Sequence, residues 1–258
     1  MKNLPIWTRT LTVVLAGFLA APPASAGTIL KWQETTRLDG QPAHKAVLAY
    51  SGPLGLRVQS VEIGSTTASS VILWVAATGT LHVNDGEKGW VTVTPDLIAG
   101  LRSRAKRAPG KEAPPVTVRP TGSRHTVNSF ACEAYTLQQK GRPSRIVCLG
   151  EPASLGIDET TRRNFREMSR LLVAFMESAE RAAGSTPSTD EGIRYNTYDM
   201  PAGFPVRAWE TRRGETWLDS ELVSVSAGDT PASLFESPPT PKPGDPSVTP
   251  SAPPRSGR

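Results

Sequence analysis

Turn-forming residues recur about every ten residues from Thr28 to Leu149, with β-branched and aromatic residues between them. A chain punctuated this often has to fold back on itself as a meandering antiparallel sheet. Strands are predicted over 29–37, 45–51 and 54–63, separated by Leu38-Asp39-Gly40-Gln41-Pro42 and by Gly52-Pro53. Within the third, Leu56 and Val58 take one phase, and Val61 and Ile63 the other. This requires either a bulge near Gln59-Ser60 or partial cover on both faces. Val71 to Val75 is apolar without alternation, as in a strand covered on both sides. Segments 80–84 and 89–94 form a hairpin through Asp85-Gly86-Glu87-Lys88.

Two helices interrupt the meander. Thr94 caps a short one with Pro95 at its first position, and it dissolves into the basic run Arg102, Arg104, Lys106, Arg107, Lys111. The long one runs from Asp158, its N-cap, to about Ala183, with Gly184 as the stop. Phe165, Met168, Leu171, Leu172, Phe175, Met176 and Ala179 form its apolar stripe, and Arg163–Glu167 and Glu177–Arg181 are spaced as ion pairs on its wet side. One or two strands lie in 116–138 and another in 145–149. A last hairpin spans 204–211 and 215–226 across Arg212-Arg213-Gly214, and 232–236 closes the fold. The expected class is α+β, mostly antiparallel β, with one long and one short helix.

Residues 1–26 read as a cleaved secretory signal peptide. Lys2 and Arg9 precede the apolar stretch Leu11 to Ala21, Pro22-Pro23 break it, and Ala24-Ser25-Ala26 offer cleavage before Gly27. The stretch falls short of the roughly 20 residues that a membrane span needs, and no cysteine near the cleavage point could take a lipid. The rival reading, a buried N-terminal helix, leaves that punctuation unexplained. A periplasmic or secreted location follows, with membrane contact at most peripheral. The formal charge of +5 falls by Lys2 and Arg9 to +3 in the mature chain, too mild to demand a polyanionic partner. Residues 27–236 make one β-rich domain. Residues 237–258, rich in Pro, Ser, Thr and Gly, make an expected disordered tail that is either a solvated end or a spacer or recognition ligand.

Cys132 and Cys148 both survive processing and would meet an oxidising compartment. If their strands turn near Lys140-Gly141, a symmetric hairpin sets them opposite one another. Opposed Cβ atoms lie about 4.5–5.5 Å apart, near the separation of a disulfide. The alternatives are two free buried thiols or a metal pair, for which only His125 is near and no CxxC spacing exists.

No catalytic or cofactor motif stands out: there is no HExxH, GxSxG or Gly-rich phosphate loop. His44 and His82 are expected on solvated strand faces. Asp219 and Glu221 alternate along a strand, either as surface carboxylates or as a weak glycosidase hint. The basic run is read as a solvated loop, the other option being a surface for anionic headgroups. Its Pro and Gly content and lack of interleaved aromatics speak against nucleic acid. The chain is therefore expected to be non-enzymatic, without metal or cofactor.

Five tryptophans remain after processing: Trp32, Trp74, Trp90, Trp209 and Trp217. If the sheet curves, its concave side and the long helix could enclose an apolar groove, with Trp74, Phe165, Met168, Leu172, Phe175 and Met176 as candidate lining. The alternative is a helix that simply closes the core.

The segment Val127-Asn128-Ser129-Phe130-Ala131-Cys132-Glu133-Ala134-Tyr135, the returning Ile146-Val147-Cys148-Leu149, Gly203-Phe204-Pro205-Val206 and the closing Phe235-x-x-Pro238-Pro239 occur in an order that resembles the bacterial exported domain of unknown function numbered 4412. That family is similar in layout to periplasmic lipoprotein carriers. The resemblance implies a half-barrel around helices and a carrier role for lipid or lipoprotein acyl chains. The stretch 99–115 departs from it as a basic insertion. The other expectation is an envelope interaction module without ligand, using a sheet edge or the tail to hold a protein partner.

Overall fold

In a computed structural model, residues 25–38, 41–84, 86, 89–107, 115–140, 144–182, 195–212 and 215–238 are described. The expected signal peptide up to residue 24, the turn at Asp39-Gly40, Lys111, the helix stop at Gly184 and the tail beyond Pro238 lie outside them. The strands are β1 (Ser25–Leu38), β2 (Gln41–Gly52), β3 (Gly55–Glu62), β4 (Ala68–Val75), β5 (Thr80–Asn84) and β6 (Trp90–Val93), then β7 (Thr117–Val127), β8 (Phe130–Gln138), β9 (Arg145–Gly150), β10 (Phe204–Arg212) and β11 (Glu215–Thr230). The helices are α1 (Pro95–Arg107) and α2 (Glu159–Ala182). All strands form one open antiparallel sheet in the order β6-β5-β4-β3-β2-β1-β11-β10-β9-β8-β7. Two meanders thus join back to back through β1 and β11, which share twelve paired positions.

The seam explains one glycine. A Cβ on Gly27 would strike the Ser51 carbonyl and the Thr230 side chain, so only glycine lets β1, β2 and β11 close there. β1 begins at Ser25, and cleavage after Ala26 would leave it starting at Gly27. The expected bulge in β3 is present, as a register shift at Ser60/Val61 against β4. Leu73 and Trp74 are both buried, as a doubly covered β4 requires. Asn128 and Ser129 both have positive φ, 48° and 75°, and form the tight turn between β7 and β8.

The helix starts follow the sequence. The Leu97 amide donates to Thr94 Oγ1 at 3.1 Å, and the Thr161 amide donates to Asp158 Oδ1 at 2.6 Å. Other expectations need correction. Arg102, Arg104, Lys106 and Arg107 belong to α1 itself, which runs 13 residues, because nothing before Arg107 breaks the helix. Glu167 pairs with Arg170 at 3.6 Å rather than with Arg163, whereas Glu177–Arg181 forms as spaced. Cys148 is in register with Ala134, so it lies diagonal to Cys132 and not opposite; the disulfide nonetheless closes, with Cα atoms 5.4 Å apart. The hairpin centre sits one residue later than a symmetric turn about Lys140 would place it. His82 is buried and contacts Thr92 Oγ1 at 3.0 Å, because β6 covers it. Asp219 and Glu221 do not simply face water, since both hold Arg207.

Candidate functional site: a cavity beneath the long helix

The N-terminal half of α2 is pinned to the sheet. Asn164 is fully buried and its Nδ2 donates towards Ser51 Oγ, Gly52 O and Gly55 O at 3.0, 2.8 and 2.9 Å. Next to it in the chain, Phe165 packs against Trp32, Phe204 and Tyr198 at centroid distances of 5.8, 5.2 and 4.8 Å. This aromatic knot fills the middle of the space between helix and sheet, and its burial pushes the Tyr198 phenol well above its ordinary pKa.

Beside the knot the space stays open. A cavity of about 440 Å³ is lined by Phe165, Met168, Ser169 and Leu172 of α2, and by residues of β1, β2, β3, β9, β10 and β11. One helix can face six strands only if the sheet curves round it. The apolar part is Trp32, Val47 and Val58, while Tyr195, Thr197 and Tyr198 close it from the segment after α2. Glu34, Arg145, Arg207 and Ser220 make the polar part.

Most of the polar part is matched within the wall, although the buried Arg145 Nε has no hydrogen-bond partner. Arg145 Nη2 donates to Glu210 Oε2 at 3.1 Å, and Glu210 is fully buried. Arg207 holds Asp219 at 2.6 Å and Glu221 at 3.1 Å, with its guanidinium 4.9 Å from the Trp209 ring centroid. Hydrogen bonding to Asp219 raises the Arg207 pKa further. Glu34 differs: among the described residues its carboxylate has no hydrogen bond and no ion pair. Burial raises its pKa, against the opposing pull of Lys45 and Arg145.

Of the residues expected to line a groove, Phe165, Met168 and Leu172 come together here. Trp74 does not; it sits in the core on β4, in register with Leu56 and Leu81. Phe175 is half-buried against the core, and Met176 is 37 % exposed because its side of α2 turns away from the sheet. A second groove of about 420 Å³ lies between the helices, with Ile98, Ala99, Leu171 and Ala174 inside and Arg102 and Arg170 on its rim. Among the described residues no three His, Cys, Asp or Glu side chains gather as metal ligands would, and no helix is long and apolar enough to cross a membrane.

No protein-family model and no curated protein matches the chain, so the 4412 resemblance rests on its motifs alone. Solved structures with a similar layout do exist. They include PNGF-II (TM-score 0.41, 10 % identity, 82 % of this chain and 30 % of that one) and MucB (0.35, 8 %, 83 % and 58 %), which has also been solved in complex with MucA. A LolA superfamily protein, NE2245 from Nitrosomonas europaea, is a third (0.31, 10 %, 84 % and 92 %). The chain spans under a third of PNGF-II and somewhat over half of MucB. At these scores the likeness carries no functional argument.

Proposed function

We propose that this chain is an exported, non-catalytic carrier or binding protein that holds an apolar molecule between α2 and the curved sheet. The observation that carries the reading is the cavity beside the aromatic knot, whose volume falls in the range of about 300–1,000 Å³ typical of ligand sites. Its helical wall is fixed at one end by Asn164. A disulfide and a signal-like N-terminus support an oxidising compartment such as the periplasm. Native mass spectrometry of protein purified from the periplasm tests this. A mass increment that organic extraction removes is expected. A bare chain that also takes up no neutral fluorescent probe would overturn the reading.

The sheet edges do not favour the alternative of a docking module. Edge strand β7 carries Arg119, Pro120 and Arg124 and breaks register between Pro120 and Arg124, all devices that keep an edge from recruiting another strand. The opposite edge, β6, is only four residues long.

A further inference from the structure

Three charged side chains stand in the cavity wall, Glu34, Arg145 and Arg207, and they differ in how they are matched. Both arginines in its wall are already matched: Arg145 by Glu210, and Arg207 by two carboxylates, Asp219 and Glu221. Lys45 lies in register between Glu34 on β1 and Glu62 on β3. That leaves Glu34, in register with Ser220 on its other side, as a cavity carboxylate with no direct partner among the described residues. An anionic head placed here would compete with the carboxylates that already hold both arginines, with only the buried Arg145 Nε left without a hydrogen-bond partner, and would meet the Glu34 carboxylate. A cationic donor would find an unsatisfied acceptor in a poorly hydrated place, where a charge-assisted hydrogen bond is strongest.

We propose that the cavity selects an amphiphile whose polar end is a cationic hydrogen-bond donor, such as a primary ammonium, seated on the Glu34 carboxylate with its apolar body along Trp32, Val47, Met168 and Leu172. This rests on the carrier reading and narrows its ligand class. The raised pKa of Glu34 fits the same picture, because a carboxylate short of solvent gains most from a bound cation.

The test uses the full chain loaded with the neutral probe N-phenyl-1-naphthylamine. Octylammonium, octanol and octanoate compete for it below their micellar concentrations, first on the unaltered chain and then on Glu34→Gln. Octylammonium is expected to displace the probe at about tenfold lower concentration than octanol, with octanoate weakest. In Glu34→Gln the ammonium advantage over octanol shrinks to within about twofold. Octanoate competing as well as octylammonium on the unaltered chain overturns the inference, whether or not the variant folds; so does an ammonium preference that survives in Glu34→Gln. A probe displaced equally by all three leaves the carrier reading standing and removes this one. A probe that never binds removes both.

Discussion

Asn164 on α2 reaches across to the turn between β2 and β3 and donates to the carbonyls of Gly52 and Gly55 at 2.8 and 2.9 Å, in a place with no solvent. This contact sets where the helix crosses the sheet, and therefore where the cavity begins. Replacing Asn164 by Ala orphans the buried acceptors and is expected to destabilise the chain by about 2–3 kcal/mol. Urea unfolding would show a lower midpoint with an unchanged slope. A loss under about 0.5 kcal/mol, the size of an ordinary surface substitution, would mean that the contact does not hold the helix.

The Cys132–Cys148 bridge closes a loop with a sequence separation of 16. Loop-closure entropy puts its contribution at about 3 kcal/mol. The double variant Cys132→Ser, Cys148→Ser should lose that much, and reduction of the denatured chain should add about 2 Da to its mass. An unchanged mass would contradict the bridge.

Much of this fold is legible in the sequence because it is local. Thr94-Pro95 and Asp158 mark helix starts by side-chain chemistry that acts within three residues, and the Phe165–Met168–Leu172 stripe follows from helical spacing alone. What was not legible depends on which strands meet. Trp32 and Glu34 reach the cavity only because β1 pairs with β11 from the far end of the chain. His82 looks like an exposed strand residue until β6 is laid beside it. The Arg207–Asp219 pair was within reach, since a turn centred on Arg213 sets the two opposite. The closing pair Arg212↔Glu215 and a register shift at Glu210/Thr211 together set Arg207 opposite Glu221, and its guanidinium then spans both carboxylates.

Glu34 makes stability depend on pH in a defined sense. Its pKa is raised above the ordinary 4.5 by burial, so between those two values the folded chain holds a proton that the unfolded chain has lost. Stability therefore falls as pH rises through that window and stays at the lower level above it. Glu34→Gln is expected to raise the Tm by a few degrees at neutral pH and to leave it unchanged below pH ~4, where both states are protonated. A variant less stable than the parent at neutral pH would contradict the unsatisfied carboxylate.

His82 gives the opposite slope. Burial lowers its pKa below 6.5, so as pH falls past 6.5 the unfolded chain takes up a proton first. Its neutral form thus supports the fold fully above 6.5, and that support is lost as pH falls towards the depressed value. His82→Gln should flatten the stability profile on the acid side of neutrality, as read by thermal melts at half-unit pH steps. An identical slope in parent and variant would mean the ring is not enclosed between Thr80 and Thr92.

The most direct test is whether the space under α2 admits a molecule. Ser169 lines it, and Ser169→Trp would fill it with an indole. N-phenyl-1-naphthylamine titrated into the unaltered chain should show one saturable site, weakened at least about tenfold in Ser169→Trp while the far-ultraviolet circular dichroism stays the same. No saturable binding, or equal binding by both proteins, would contradict the account.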